Sequence, residues 1–244
     1  MRYTIFTSLG PGRTDCFQIW MKSICNIPQT IRDDSRYIVM IDSDNIPRDM
    51  VIDALKAAGF SSYIVLRNEQ LTGYYDSKKV AEHLAAIWRR VSHSMQGIVI
   101  SIEHDVMATP EDYSALVKTL EDRDNTTGIV GTPLLGRHRR NVMVYRNKTI
   151  VPKYSIDRRR LYRNHEGVKE VGSVSLGLTA IRAEVARACD WAGCPNPDGT
   201  GGNGHEWSLM RHCALLEIKV LCNWDIRPKH HKTSDEFLQY SGSR

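Results

Sequence analysis

Several features common in other proteins are missing from this 244-residue chain, and each absence removes a class. No window approaches the ~18 uninterrupted apolar residues of a membrane-spanning helix. The opening MRYTIFTSLGPGRTD has a short β-like run but no charged leader followed by a long apolar stretch, so it reads as no secretory signal. The sequence therefore predicts a soluble, intracellular protein, cytoplasmic in location. Six cysteines, Cys16, Cys25, Cys189, Cys194, Cys213 and Cys222, form no C-x-x-C pair. Cys189 and Cys194 are near enough in sequence for a loop disulfide or a share in a zinc site, but without a secretion signal reduced thiols are expected. Internal repeats and long linkers are missing too, as are the biases of disordered, collagenous or coiled-coil chains. What remains is 41% hydrophobic, enough for one large domain or two small ones. One compact domain over 1–244 is the simpler partition.

Charge is present but unevenly spread. Between Arg137 and Arg163 stand eight arginines and two lysines against one acid, Asp157, which makes that stretch +9 and the rest of the chain −4. Such a density attracts phosphate or another polyanion; a solvated loop is the equally plain alternative.

The first half alternates regularly. Apolar runs at Tyr3–Ser8, Tyr37–Ile41, Ser62–Leu66 and Ile98–Ile102 read as strands. Helical patterns at Asp15–Ile24, Arg48–Ala58, Asp76–Ser94 and Pro110–Leu120 separate or follow them. This alternation predicts an α/β fold with a mainly parallel central sheet flanked by helices, since strands buried on both faces need no polar side. The second half is less regular. Strands are expected at Gly128–Thr132, Asn141–Tyr145, Val171–Ile181 and Ile218–Cys222, with a helix over His205–Glu217 after the glycine-rich stretch Gly199–Gly204.

In parallel sheets ligands bind beyond the carboxyl ends of the strands. The second strand ends in Asp42-Ser43-Asp44 and the fourth in Glu103-His104-Asp105, so both acidic clusters open onto one edge. Carboxylates there suit a divalent cation, which prefers oxygen ligands and would offset the charge of a diphosphate leaving group. Acids at strand ends also commonly cap the next helix, and either triplet alone carries little weight.

The order of elements resembles the nucleotide-binding half of GT-A glycosyltransferases, notably family 2. VISIEHDVMATPEDYSALVKTL is similar to the family's D-x-D segment after its fourth strand. VSLGLTAIRAEVA is similar to the element leading to the acceptor side, and GHEWSLMRHCALLEIKVLCNWDIRPKHH to the ending that carries an E-D pair and a late histidine. The resemblance spans most of residues 3 to 231. It implies a nucleotide-binding half over about 1–107, an acceptor half over about 108–232 and a tail over 233–244. By the same resemblance Asp105 would ligate Mn²⁺ or Mg²⁺, with His230 or His231 completing the metal shell. Glu103 and His104 would serve the nucleotide-sugar, Glu103 at the ribose or at the metal through water. Asp42 would hydrogen-bond the nucleotide, with Ser8 and Leu9 on the other side of the base pocket. Glu206 would be the general base that deprotonates the acceptor hydroxyl. The chain departs from the pattern in having E-H-D for D-x-D and His205-Glu206 for E-D. Each longer glutamate shifts its carboxylate by about 1.5 Å.

Two other readings stay open on sequence. Gly10, Gly12 and Arg13 faintly match the glycine-rich triphosphate loop of sugar nucleotidyltransferases, and equally a plain turn. The basic segment, with Tyr145, Tyr154 and Tyr162 interleaved, would suit an inert nucleic-acid-binding module or the recognition of an anionic acceptor, whether nucleic acid, protein or glycan. Trp191, Trp207 and Trp224 would stack on a sugar or lie in the core.

Overall fold

The computed structural model describes residues 1–10, 14–43, 45–68, 77–135, 143–145, 165–192, 194–195, 202–203, 205–231 and 237–239. The chain runs β1 (Tyr3–Leu9), α1 (Thr14–Cys25), α2 (Gln29–Arg32), β2 (Ser35–Ile41), α3 (Arg48–Ala57), β3 (Tyr63–Arg67), α4 (Ser77–Ser92) and β4 (Ile98–Ile102). There follow β5 (Val106–Met107), α5 (Pro110–Glu121), β6 (Thr127–Gly131), β7 (Val144–Tyr145), β8 (Val168–Val171), β9 (Ser173–Val174) and β10 (Leu178–Arg182). The last elements are α6 (Ala183–Ala188), β11 (Cys194–Pro195), β12 (Gly202–Asn203), α7 (His205–Leu215), β13 (Lys219–Asn223), β14 (Lys229–His231) and β15 (Phe237–Gln239).

Eight strands form one sheet in the order β3-β2-β1-β4-β10-β6-β13-β8. The four strands of the first half pair in parallel, and so do β6 and β13. Strands β10 and β8 run against their neighbours. Successive side chains on a strand point to opposite faces, and here both faces are apolar. Ile5, Val39 and Ile100 pack with Trp20, Val51, Leu55, Tyr113 and Leu116 of α1, α3 and α5. Their neighbours Phe6, Ile38 and Val99 pack with Trp88, Ala186, Leu209 and Cys213 of α4, α6 and α7. The sheet is thus the middle layer of three.

Helix ends are set by local chemistry. Thr109 caps α5: its side chain accepts from the Asp112 N–H at 3.2 Å while the Asp112 carboxylate accepts from the Thr109 N–H at 2.9 Å, with Pro110 in the first turn. Gly59, at φ +82°, ends α3; its N–H donates to the Lys56 carbonyl, and Phe60 N–H to the Leu55 carbonyl. Tyr37 lies at the centre of one face. Its hydroxyl accepts from Trp20 Nε1 at 3.0 Å and bonds Thr7 Oγ1 at 2.9 Å.

The structure differs from the sequence expectation mainly after residue 170. The single strand expected over Val171–Ile181 is three, because the segment leaves the far edge at β8, touches β7 through β9, and enters the sheet centre as β10. The short elements α2, β5, α6 and β14 have no counterpart in the periodicity reading. Cys25, Cys189, Cys213 and Cys222 are free thiols, and Cys16 is buried. No described helix is long and apolar enough to cross a membrane. Gly12, Arg13, Asp44, most of 199–204, the basic stretch 137–163 apart from 143–145, and the tail apart from 237–239 lie outside the described residues.

Candidate metal centre and active site

Glu103, His104 and Asp105 follow β4 at the carboxyl edge. The turn is fixed by backbone bonds: Glu103 N–H donates to the Gly177 carbonyl at 2.8 Å, and Val106 N–H to the Glu103 carbonyl at 3.1 Å. His104 turns toward β1, its Nδ1 donating to the Ser8 carbonyl at 3.0 Å beside Gly10. The Asp105 carboxylate is fully buried, whereas that of Glu103 is 35% exposed.

Strand β14 reaches this turn from the other end of the sequence. It pairs antiparallel with β5, and His231 N–H donates to the Asp105 carbonyl at 2.8 Å. Strand alternation sends His230 and His231 to opposite sides. His230 goes to the carboxylates: its Nε2 lies 3.1 Å from Asp105 Oδ2 and 4.0 Å from Glu103 Oε2. His231 is buried and stands outside this trio. One ligand atom from each of Glu103, Asp105 and His230 falls within 4.8 Å of the others, the one such cluster among the described residues.

The trio fits a cation. A carbonyl only accepts, so His230 Nδ1 must carry a proton to bond the Leu135 carbonyl. That bond orients the ring and turns Nε2 to the two carboxylates, as a carbonyl behind a metal-binding histidine does. Two carboxylates and an imidazole nitrogen facing one another are stabilised by positive charge, and a metal ion would supply it. Carboxylate oxygens suit Mg²⁺ and Mn²⁺, and the imidazole extends the choice to softer transition ions.

Asp42 stands just past β2, its N–H donating to the Leu9 carbonyl at 2.8 Å. Its buried carboxylate meets His83 of α4, with Nε2 2.6 Å from Oδ2, and Asn68 beyond β3, with Nδ2 3.2 Å from Oδ1. The Leu9 side chain packs in the hydrophobic core.

Glu206 lies in the first turn of α7. Its Oε1 accepts from Ser175 Oγ at 2.7 Å and from Leu176 N–H at 2.8 Å. The next residue along, Gly177, is the one whose carbonyl holds Glu103, so bonded contacts join Glu206 to the Glu103, Asp105 and His230 trio. His205 stacks on Trp88, at 6.1 Å and 14°, and Trp88 on Trp191, at 4.6 Å and 19°. Burial lowers the His205 pKa below the ordinary histidine value, with the Glu206 charge opposing. Trp191 and Trp224 are fully buried core residues; Trp207 is partly exposed, with the Arg211 guanidinium 5.5 Å from its ring centre.

Four groups of this edge have no distinct sequence signal. Asn68 and His83 are ordinary polar residues after a strand and within a helix. The Leu135 carbonyl is backbone, and Ser175 is hidden inside an apolar run read as continuous strand.

No protein-family model matches the chain, and no curated protein matches its sequence. Solved structures do match. The mannosyltransferase PcManGT from Pyrobaculum calidifontis, solved with GDP-Man and Mn²⁺, superposes with a TM-score of 0.58 over 92% of this chain and 55% of its own, at 14% identity. The chain has the GT-A fold. GalNAc-T7, solved with UDP, GalNAc and Mn²⁺, matches this GT-A chain at 0.58 over 91% of it and 42% of GalNAc-T7, at 12% identity. A197 from STIV matches at 0.51 over all of the chain and 97% of its own, at 11% identity. The chain spans about half the length of the first two GT-A structures. At these identities the likeness is one of fold.

Proposed function

We propose that the protein is a metal-dependent glycosyltransferase that moves a sugar from a nucleoside-diphosphate donor to an acceptor hydroxyl. One observation carries the reading: Glu103, Asp105 and His230 converge within 4.8 Å at the carboxyl edge of a GT-A sheet. The neighbours PcManGT and GalNAc-T7 were solved with Mn²⁺ and with nucleotide or nucleotide-sugar, which supports the same chemistry here.

In this reading Asp105 and His230 hold the ion, with Glu103 completing the trio or contacting the ribose. A divalent ion, when bound, offsets the charge of the departing diphosphate. Asp42, Ser8 and His104 line the nucleotide side, Asp42 through the carboxylate that His83 and Asn68 hold, with the Leu9 side chain behind them in the core. Glu206 takes the acceptor hydroxyl proton as that oxygen bonds to the anomeric carbon and the bond from that carbon to the diphosphate breaks. Such base assistance contributes roughly 10² to 10⁴ in rate. The +9 segment 137–163 is assigned to an anionic acceptor on charge alone.

The test is release of nucleoside diphosphate from GDP-mannose and UDP-linked sugars, with Mn²⁺, with Mg²⁺ and with EDTA. Release that EDTA abolishes and Mn²⁺ restores is the expected result. Metal-independent release, or pyrophosphate formed from sugar 1-phosphate and a nucleoside triphosphate, would reject it.

A further inference from the structure

The segment Ser175–Gly177, just before β10, has every hydrogen-bonding group engaged. Ser175 N–H donates to the Met143 carbonyl at 3.1 Å, and its own carbonyl accepts from Thr179 Oγ1 at 2.6 Å. The Leu176 carbonyl accepts from Ser101 Oγ at 2.7 Å. Gly177 N–H leans on Ser175 Oγ at 3.4 Å, and its carbonyl takes the Glu103 N–H. The two donors left over, Ser175 Oγ and Leu176 N–H, both go to Oε1 of Glu206. Ser175 itself is 3% exposed. A Cβ on Gly177 would sit 2.3 Å from Leu134 Cδ2 and 3.2 Å from Glu103 Oε2, so the segment is packed against the metal trio as well as bonded to it.

We infer that Ser175 is a positioning residue for Glu206, and that the Ser175–Gly177 segment holds the proton-accepting carboxylate in fixed register with the metal-binding acids. This rests on the reading of Glu206 as general base. Two donors on one oxygen stop rotation of the carboxylate and leave Oε2 to receive the proton. One of those donors is backbone and survives any substitution; the other is the Ser175 hydroxyl. The strap is tied to β4 through Ser101 and Glu103, so the base moves only if the metal turn moves with it. Reaction rate depends steeply on such placement, with a shift of about 1 Å costing on the order of a hundredfold.

The experiment compares Ser175→Thr with Ser175→Val, side chains of the same shape that differ in the hydroxyl. The readouts are kcat and KM for nucleoside diphosphate release from GDP-mannose and UDP-N-acetylglucosamine with Mn²⁺, and the Kd of GDP and UDP with Mn²⁺ by calorimetry. The expected result is a kcat about ten- to a hundredfold lower in Ser175→Val than in Ser175→Thr, with KM and Kd alike in both. Equal kcat values overturn the positioning role, and so does a loss of nucleotide binding in step with kcat, which marks plain misfolding around the site. If the wild-type protein releases no diphosphate from either donor, the glycosyltransferase reading falls and this inference with it; a working wild type with equal variants removes this inference alone.

Discussion

His230 Nε2 lies 3.1 Å from Asp105 Oδ2, across 125 residues of sequence. Neither group reaches water: Asp105 is fully buried and His230 is 3% exposed. Buried groups of this kind are stabilised by positive charge beside them.

Asp105→Ala and His230→Ala should each remove metal-dependent nucleotide binding. Loss of metal charge stabilisation is worth several kcal/mol, so turnover should fall by at least about 10²-fold. Calorimetry with GDP or UDP, with and without Mn²⁺, checks the binding. His231→Ala keeps the trio intact and should retain Mn²⁺-dependent binding. If His231→Ala loses that dependence and His230→Ala keeps it, the ligand assignment is reversed.

Glu206→Gln retains the size of the side chain and the acceptor oxygen for Ser175 and Leu176. Transfer should drop by roughly 10² to 10⁴, while the affinity for nucleoside diphosphate with Mn²⁺ stays near that of the wild type. Normal transfer would remove Glu206 from the mechanism.

His205 predicts a pH dependence of stability. Burial lowers its folded pKa below the unfolded value of about 6.5. Between those two values the unfolded chain binds the proton and the folded one does not, so stability is full above about pH 6.5 and declines as pH falls through that window. Burial also lowers the His212 pKa, with Asp190 opposing, and adds to the same trend. Melting temperature measured from pH 8 to pH 5 should fall at the acid end, and less steeply in His205→Gln. Parallel curves for the two proteins would contradict this.

Tyr37→Phe leaves Trp20 Nε1 and Thr7 Oγ1 without their shared partner in a buried site. Each stranded group of this kind costs about 1–3 kcal/mol. A chain of this size loses about 2–4 °C in melting temperature per kcal/mol, which a thermal scan resolves. Since the substitution is far from the carboxyl edge in chemistry, the metal dependence of nucleotide binding should not change.

Much of the first half was legible because buried parallel strands announce themselves. Runs such as YIVMI at Tyr37–Ile41 and IVISI at Ile98–Ile102 have no polar face, and the T-P-E-D that opens α5 encodes its own cap. The position of Glu103-His104-Asp105 at a sheet edge followed from the same alternation. What was illegible depends on tertiary pairing. Strand β14 is only Lys-His-His and β5 only Val-Met, too short for any period, yet their pairing decides which histidine meets Asp105. The insertion of β10 between β4 and β6 was equally hidden, since VGSVSLGLTAI reads as one apolar run although it is divided among β8, β9 and β10. His83 beside Asp42 comes from α4, 41 residues further along, a contact that spacing along the chain does not encode.

The late arrival of β14 also orders events in time. The eight-stranded sheet is complete once Asn223 is in place, and both acids of the trio are by then installed. The histidine comes only with residues 229–231. A nascent chain, folding from its N-terminal side as it emerges, would therefore finish its scaffold before gaining its grip on an ion. On the proposed reading, loading of the ion waits on the docking of three residues.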